Sequence, residues 1–596
     1  MKRPLSAILA ALMLAAVFTA CESEKPAETP TEPASLSTET DTAAEPSAAS
    51  KPEEITPKDL PAPSDELPSS VDLRNFNGKS YVTPVKRQAF GDCWSFGIAA
   101  AAESSWLYVN DLGAAAGEDN TNANFSERYL SWFVYNSITE DDLKAGSVRA
   151  SQVGEGYDIK EAVEKNPKTP FILGGALLSG SNVYASGFGP VDESTEKNGI
   201  YPYAYSDKNV VDPEDYEDYS PSGDWSIPIN AEYRTPAPAA VLRNGNILPC
   251  PAARDAQGNY SYSEEGVNAI RSELAKGHAV AVTALVYGRM NYDNWAAYTP
   301  ADEANHVITI VGYDDNYPKE NFAKADSDGN IDEDTIPPTD GAFIIKDSNG
   351  ENGGFDAKGS FYISYHDHTF VDPISFEFDK ADTVKYNEVN YDQYDLLLAG
   401  FCSKNEYDAE TKMANVFDAE EDEYLTQLVY RTKALNTFVH YEIYKAPQDG
   451  SPDSGTLLEE GDSAHYFGGS HRIDLKNEYL LNKGDKYSVV LTMKYTGEDG
   501  TDKYTEVIPY AASIIPYGAP KDNVIAVKGV INKGESFLYK DGKWTDETEL
   551  VSGLVKTAFE EHSSKLLADT MKPETEDGIA VDNYPIKAIL VPADKH

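Results

Sequence analysis

One short segment, VKRQAFGDCWSFGIAAAA at residues 85–102, constrains the fold of this chain more than any other. Gly91 and Asp92 are turn formers, and the small residues after Cys93 are typical of a helix that packs closely against its neighbours. The pattern predicts a helix that begins at Cys93. The free N–H groups and the positive dipole end at that position favour a thiolate. Cys93 is therefore a candidate nucleophile, and a small buried cysteine is the alternative.

Two segments far along the chain supply candidate partners for this cysteine. NHVITIVGYDD at residues 305–315 and AFIIKDSNGENGG at residues 342–354 contain short β-branched runs typical of adjacent strands. His306 opens the first run, and Asp347 lies toward the end of the second. Histidine accepts a thiol proton near neutral pH, and a carboxylate can fix its tautomer. The three residues predict a nucleophile, a base and an orienting group.

These blocks, in this order, resemble the papain-like cysteine peptidases. TPVKRQ at residues 83–88 and DCWSF at residues 92–96 are similar to the nucleophile region of that family. FSERYL at residues 125–130 is similar to its SEQ-L segment, and IIKDSNG at residues 344–350 is similar to its IIKNSWG. The resemblance covers roughly residues 67–380. It implies an α+β domain with two lobes, one helical and one built like a β-barrel.

The same resemblance implies the roles of particular residues. Cys93 corresponds to the nucleophile and His306 to the general base and acid. The Gln88 amide and the Cys93 backbone N–H correspond to the oxyanion donors. Gly174 and Gly175 match the paired glycines that let a substrate backbone approach, since glycine has no Cβ. Protein or peptide substrates are implied, and no cofactor.

The chain also departs from the family pattern. The interval from Gln88 to Cys93 is five residues where the family usually has six, and Phe90 replaces a cysteine that normally forms a disulfide. Asp347 replaces the usual asparagine, and Asn349 replaces a tryptophan. Asn349 shares a strand face with Asp347 and is the alternative orienting group. No papain-type helical pro-segment is visible between the N-terminal region and the domain.

The N-terminal region predicts export. Lys2 and Arg3 precede an apolar run at residues 5–20, as in a secretion signal, and FTAC at residues 18–21 resembles a bacterial lipoprotein signal with Cys21 as the lipidated residue. Ordinary cleavage near Ala20 is the alternative. Residues 21–66 are rich in Pro, Ser, Thr and Glu and predict a disordered tether. We therefore expect a secreted protein that is lipid-anchored at a bacterial cell surface.

The C-terminal third has a different texture from the rest. EYLTQLVYRT at 423–432, TFVHYEIYKA at 437–446 and KYSVVLTMKYT at 486–496 predict strands of a β-sandwich. ANVFDAEEDEYL at 414–425 and GESFLYKDGKWTD at 534–546 resemble the lectin-like module appended to bacterial papain-like peptidases. The predicted domains are a peptidase at 67–384 and a lectin-like sandwich at 385–596. Its aromatic residues allow stacking on a cell-surface glycan, and a structural or docking role is the alternative.

Charge and ligand chemistry exclude several other classes. Lys and Arg total 50 against 99 Asp and Glu, and a net charge of −49 repels phosphate backbones, so no nucleic acid partner is expected. The acidic segment DSDGNIDED at 326–334 predicts a solvated insertion rather than a calcium loop. His366 and His368 share a strand face but lack an evident third ligand, so no metal is predicted. Cys250 and Cys402 either pair or stay separate.

The leading prediction is a cysteine endopeptidase with an accessory β-domain. An alternative from another class is a cell-surface adhesin or carbohydrate-binding protein whose peptidase-like domain is inactive because the short oxyanion loop is misaligned. A third possibility keeps the catalytic residues but transfers the acyl group to an amine or acts on an amide other than a peptide bond.

Overall fold

The computed structural model describes most of the chain after the N-terminal region. The described residues are 66–144, 152–195, 201–203, 225–228, 231–234, 237–254, 259–286, 289–300, 304–325, 330–350, 353–396, 401–497, 499–512, 525, 527–550 and 579–596. The predicted signal peptide, the Cys21 lipidation site and nearly all of the predicted tether lie outside this set. Among the described residues, no helix has the length and apolar character needed to cross a membrane.

The first part of the described chain is mainly helical. Its longest helix begins at Cys93, as predicted, and its next helix is capped by Ser126, whose side chain accepts from Tyr129 N–H. The elements are β1 (Ser70–Asp72), β2 (Lys79–Ser80), α1 (Cys93–Val109), β3 (Ala114–Ala115), α2 (Glu127–Val134), α3 (Glu140–Leu143), β4 (Gly156–Tyr157), α4 (Lys160–Lys165), α5 (Thr169–Ile172), α6 (Leu177–Ala185) and α7 (Ala231–Arg234).

The second part is a β-rich lobe. Its elements are β5 (Leu242–Ile247), β6 (Ala252–Arg254), β7 (Tyr260–Tyr262), α8 (Glu264–Ala275), β8 (Val280–Ala284), β9 (Met290–Asn291), β10 (Ala296–Ala297), β11 (His306–Asp314), β12 (Lys324–Ala325), β13 (Ile331–Asp332), β14 (Ala342–Lys346), β15 (Ser360–Ser364) and β16 (Val371–Phe378). Strand β11 pairs antiparallel with both β8 and β14. Its β-branched residues are buried because both faces of the strand are covered.

In the third part, the described residues form strands, turns and a short 3-10 helix at Glu547–Glu549. Its elements are β17 (Asn390–Asp392), β18 (Phe401–Tyr407), β19 (Lys412–Asp418), β20 (Glu423–Thr432), β21 (Thr437–Lys445), β22 (Thr456–His465), β23 (Gly468–Leu481), β24 (Lys486–Thr496), β25 (Asp502–Ala512), β26 (Val527–Lys528), β27 (Ser536–Lys540), β28 (Lys543–Asp546), β29 (Ile579–Val581) and β30 (Ile586–Pro592). The three strands predicted from the sequence are β20, β21 and β24.

These strands form a sandwich of two sheets. One sheet has nine strands, with β18, β25, β24, β19, β27 and β28 in order and β21, β22 and β29 attached. The facing strands are β17, β30, β20 and β23. A single buried cluster takes Phe417 and Leu491 from one sheet and Leu428 and Leu590 from the other. Burying such side chains contributes about 1.5–3 kcal/mol each, so this shared core holds the two layers together.

The sandwich and the β-rich lobe share one continuous sheet. Thirteen strands follow the order β17, β30, β20, β23, β5, β16, β8, β11, β14, β15, β10 and β9, with β1 paired to β11. The junction is the antiparallel pair β23 and β5, in which His471 faces Asn244. A second pair, β26 with β4, also joins the two predicted domains. Backbone hydrogen bonds therefore cross the predicted boundary at two places.

Candidate active site

The N-terminal end of α1 is packed directly against β11. A Cβ at Gly97 would come within 2.5 Å of Val307 Cγ1, so glycine is what lets the helix approach the strand. Thr309 Oγ1 donates to the Gly97 carbonyl at 3.2 Å. Cys93 is 6% exposed, and its Sγ accepts from Val307 N–H at 3.4 Å. The cysteine is thus held beside the strand that begins with His306.

His306 is oriented by a carboxylate on the neighbouring strand. Its Nε2 lies 2.8 Å from Asp347 Oδ1, which follows the last residue of β14. The same oxygen accepts from Ser348 N–H at 2.7 Å. Asn349, the alternative orienting group, donates from Nδ2 to Asp347 Oδ2 at 3.0 Å. His306 Nε2 therefore donates to Asp347 rather than to Asn349, and Asn349 supports that carboxylate.

The environment of His306 favours its protonated form. Burial lowers the pKa of the imidazole, but the Cys93 thiolate and the Asp347 carboxylate outweigh burial and raise the pKa from 6.5 to about 10. The hydrogen bond between His306 and Asp347 acts in the same direction. A protonated imidazole beside the cysteine stabilises the thiolate, which is the nucleophilic form. The arrangement therefore places a protonated imidazole beside the cysteine sulfur at neutral pH.

Gln88 lies at the start of the loop that leads to Cys93. Its backbone N–H donates to Ser348 O at 2.8 Å, and its Oε1 accepts from Ser348 Oγ at 2.6 Å. One N–H of its amide donates to Phe90 O at 2.7 Å. The side chain is therefore tied to its own loop and to the segment that follows β14. A second N–H on Nε2 is what an oxyanion donor at this position would use.

Phe90 occupies the loop position where the papain-like peptidases that the sequence resembles usually have a disulfide-bonded cysteine. Its ring packs edge-on against Trp225 with centroids 4.9 Å apart and tilted against Phe171 at 5.7 Å. Aromatic contacts of this kind contribute about 0.5–1.5 kcal/mol beyond area burial. Packing of an aromatic ring thus anchors the loop here.

The paired glycines lie next to the residue that follows the nucleophile. A Cβ on Gly175 would lie 2.4 Å from the Trp94 ring, and Gly174 has a φ of +78°. The Gly174 carbonyl accepts from Tyr135 OH at 2.8 Å. Only glycine fits both positions without strain, so the segment lies flat beside the start of α1.

A network of buried charges lies behind the site. Lys86 Nζ is 3.2 Å from Glu103 of α1 and 2.6 Å from Glu127 of α2. Lys346 Nζ donates to Thr83 Oγ1 at 2.7 Å, and Thr83 Oγ1 donates to Glu103 at 2.5 Å. Burial lowers the pKa of Lys346 to about 8 and raises that of Glu127 to about 8. Because Lys346 directly precedes Asp347, the network joins the orienting carboxylate to the helices of the other lobe.

Two residues near the nucleophile were not predicted from the sequence to belong to the site. Asp92 is completely buried, and its Oδ1 accepts from Tyr203 OH at 3.2 Å. The only signal for Asp92 was its place immediately before the cysteine in DCWSF. Tyr203 is more than one hundred residues away along the chain, so no local pattern connects it to this site.

The other residues that the sequence singled out make their contacts elsewhere in the fold. His366 and His368 stack on Tyr262 and Tyr260, and Cys250 Sγ donates to Phe370 O at 3.0 Å. The Cys402 side chain and residues 326–329 of the acidic segment lie outside the described set. Within the described residues, two groups have metal-ligand spacing, and neither includes a residue of the site: Glu273, His278 and Glu377, and His440, Glu442 and Glu460.

Comparison with known proteins finds similarity for both parts of the chain. The model of the lectin-like domain family matches residues 392–556. A variant of the clostridial cysteine protease Cwp84 after propeptide cleavage is 21% identical, with 88% of this chain and 99% of that chain covered and a TM-score of 0.57.

A second structure comprises the cysteine protease and lectin-like domains of Cwp84, a surface layer associated protein of Clostridium difficile. It is 20% identical, covers 90% of this chain and 91% of its own, and has a TM-score of 0.56. Among curated proteins, no sequence matches this chain. The α+β fold is therefore that of a papain-like peptidase domain followed by a β-rich lectin-like domain.

Proposed function

We propose that this chain is a secreted, lipid-anchored cysteine endopeptidase. Its organisation is a signal peptide at 1–20, a tether at 21–66, a peptidase domain at 67–384 and a lectin-like domain at 385–596. The observation that carries the proposal is how closely the site residues are held together: Cys93 Sγ accepts from the N–H of Val307, the residue after His306, and His306 Nε2 lies 2.8 Å from Asp347. Cwp84, which shares the fold, is a cysteine protease associated with a surface layer, in agreement with this assignment.

The proposed reaction begins with the Cys93 thiolate. It attacks the carbonyl carbon of a peptide bond, and the tetrahedral intermediate collapses to a thioester when protonated His306 gives its proton to the leaving amine. A water molecule then attacks the thioester while neutral His306 accepts its proton. The thiolate leaves as the carboxylic acid product forms. Asp347 keeps the imidazole in the orientation that both proton transfers require.

Negative charge on the carbonyl oxygen needs donors that are aimed at it in advance. The Cys93 backbone N–H and the second N–H of the Gln88 amide are the proposed pair. Removing one such donor costs on the order of 3 kcal/mol in the transition state. Gly174 and Gly175 are proposed to flank the substrate backbone. At Gly175 the absence of a Cβ makes room for the Trp94 ring, which lies 2.4 Å from the Cβ position.

Peptide hydrolysis by matched variants tests the proposal. A mixture of quenched fluorescent peptides is incubated with the wild-type chain, with Cys93→Ala and with Cys250→Ala, which removes another buried cysteine. We expect Cys93→Ala to lose more than about 1,000-fold in kcat/KM, because the nucleophile is gone. Cys250→Ala should hydrolyse like the wild type. Equal hydrolysis by the wild type and Cys93→Ala would disprove the mechanism.

A second candidate function is a cell-surface adhesin with an idle peptidase domain. The observation that favours it is the Gln88 amide, which donates to Phe90 O within its own loop. A thiol-directed epoxide separates the two functions: stoichiometric labelling of Cys93 at mildly acidic pH supports the peptidase. Absence of labelling together with binding to a glycan array supports the adhesin. Product analysis by mass spectrometry in the presence of amines distinguishes hydrolysis from acyl transfer.

The membrane anchor has its own test. A Cys21→Ser chain lacks the thiol that would carry the lipid, so we expect it in the medium rather than in the membrane fraction of a bacterial host. Recovery of both chains in the medium would exclude lipidation and leave the proposed catalysis untouched.

A further inference from the structure

The residue immediately before the nucleophile has an unusual environment. Asp92 occupies the N-cap position of α1, yet its side chain makes no capping hydrogen bond to the helix. It is completely buried and points to the helical lobe, where Oδ1 accepts from Tyr203 OH at 3.2 Å. Oδ2 is buried without a hydrogen-bond partner among the described residues. A buried carboxyl group that does not cap its helix calls for another role.

Tyr203 connects the two ends of the loop that carries the proposed oxyanion donors. Its hydroxyl accepts from Ala89 N–H at 3.0 Å and donates to Asp92 Oδ1. Ala89 directly follows Gln88, and Asp92 directly precedes Cys93. Because a phenolic hydroxyl has one proton and two lone pairs, both hydrogen bonds are satisfied together. The loop is therefore closed by one side chain that contacts its first and last parts.

The clamping side chain is itself rigidly held. Tyr203 is 2% exposed, and its ring packs edge-on against Phe96 and Trp225, each with centroids 4.9 Å apart. Its backbone N–H donates to Glu193 Oε1 at 3.0 Å. A hydroxyl on such a support can fix the position of a backbone amide far better than solvent can.

We propose that Asp92 and Tyr203 are positioning residues that clamp the loop from Gln88 to Cys93, so that the nucleophile and the oxyanion donors keep a productive geometry. The inference rests on the proposed peptidase function and deepens it. This loop is one residue shorter than the corresponding loop of the papain-like peptidases, and Phe90 replaces the cysteine that forms a disulfide there. Precise placement matters, because a misplacement of about 1 Å at a reacting group can cost on the order of 100-fold in rate. The clamp takes over the restraint that the missing cysteine would supply.

The charge of Asp92 is secondary to its geometry. Burial raises the pKa of the Asp92 carboxyl to about 7, and the hydrogen bond from Tyr203 OH partly opposes this rise. Both the neutral and the ionised carboxyl can accept from the tyrosine hydroxyl, as can an asparagine amide oxygen. Asp92→Asn therefore keeps the clamp, whereas Asp92→Ala and Tyr203→Phe break it.

Steady-state kinetics and hydrogen exchange test the clamp together. We expect Tyr203→Phe and Asp92→Ala to lower kcat about 10–100-fold with KM changed less than about 2-fold, because the substrate still binds but the reacting groups are misplaced. The Ala89 backbone amide should exchange its hydrogen at least about 10-fold faster in both variants. Tyr203→Phe removes the hydroxyl that accepts from this amide, and Asp92→Ala removes the carboxylate that holds the hydroxyl in place. Asp92→Asn should restore both values to within about 3-fold of the wild type.

A matched control removes a hydroxyl two residues away. Tyr201→Phe loses a hydrogen bond to Tyr233 O at 3.0 Å that does not involve the loop, so kcat and Ala89 exchange should stay unchanged. The clamp would be refuted if Tyr203→Phe kept the wild-type kcat and the wild-type exchange rate of the Ala89 amide. It would also be refuted if Tyr201→Phe changed both values as much as Tyr203→Phe does. If Asp92→Ala does not fold, Tyr203→Phe still decides. An inactive wild-type chain would refute the peptidase function, and Ala89 exchange would then decide the clamp alone.

Discussion

Replacing Asp347 by asparagine removes a charge beside His306 but keeps a hydrogen-bond acceptor in the same place. The His306 pKa is raised from 6.5 to about 10 jointly by the Cys93 thiolate and the Asp347 carboxylate, against the opposing effect of burial. An opposite charge in contact contributes about 1–3 pKa units. We therefore expect the His306 pKa to fall by about 1–3 units in Asp347→Asn, at 1.36 kcal/mol for each unit.

The direction of the pH effect follows from the role of the imidazole. The leaving amine needs protonated His306, so kcat/KM declines when the pH rises through the His306 pKa. In the wild type this alkaline limb should lie near pH 10. In Asp347→Asn it should move to lower pH by the same interval as the pKa, while activity near neutral pH is largely kept because the amide oxygen still accepts from Nε2.

Asp347→Ala separates orientation from charge. It loses the acceptor as well, and a hydrogen bond to a charged group is worth about 1.5–3 kcal/mol, so kcat/KM at neutral pH should fall about 10–150-fold. The assay is kcat/KM for one quenched peptide from pH 5 to 11 for the wild type and both variants. An alkaline limb at the same pH in the wild type and Asp347→Asn would refute the electrostatic reasoning. Wild-type rates in Asp347→Ala would refute the orienting role.

Two further predictions concern stability. Arg234 Nε lies 2.7 Å from Asp142 Oδ1, and both side chains are fully buried. Because breaking such a pair costs about 3–5 kcal/mol, Asp142→Ala should lose about that much free energy of unfolding in chemical denaturation. Asp141→Ala, at an exposed neighbouring position, should change the free energy of unfolding little. The Asp92 pKa is raised from 3.8 to about 7 by burial, so this group destabilises the fold progressively as the pH rises from about 4 to 7, by up to about 4 kcal/mol. Asp92→Asn should lose less stability than the wild type between pH 4 and pH 8 in thermal unfolding, and equal losses would contradict the assignment.

Local patterns in the sequence predicted the parts of the site that lie on regular elements. Turn residues before a run of small side chains indicated the start of α1 at Cys93, and a β-branched run indicated the strand that begins at His306. Such signals are local, because helix capping and strand propensity depend on neighbouring residues. The choice between Asp347 and Asn349 required geometry, because both lie on the same face of one segment.

Features that depend on contacts across the chain could not be predicted. Tyr203 meets Asp92 only because the helical lobe folds back on itself, and the Gln88 amide donates to Phe90 O within its own loop. The pairing of β5 with β23 joins strands more than two hundred residues apart. Neither strand carries a sequence signal for its partner, since register is set by the packing of whole faces.

The strand pair β5 and β23 has a mechanical consequence. If a flexible linker joined the two modules, each would move independently of the other. The effective concentration of one module's ligand at the other module would then depend on linker length. Here a ladder of main-chain hydrogen bonds runs through the joint, so the C-terminal sandwich and the site at Cys93 and His306 keep one relative orientation. Any surface bound by the sandwich would therefore be presented to Cys93 and His306 at a fixed distance and a fixed angle.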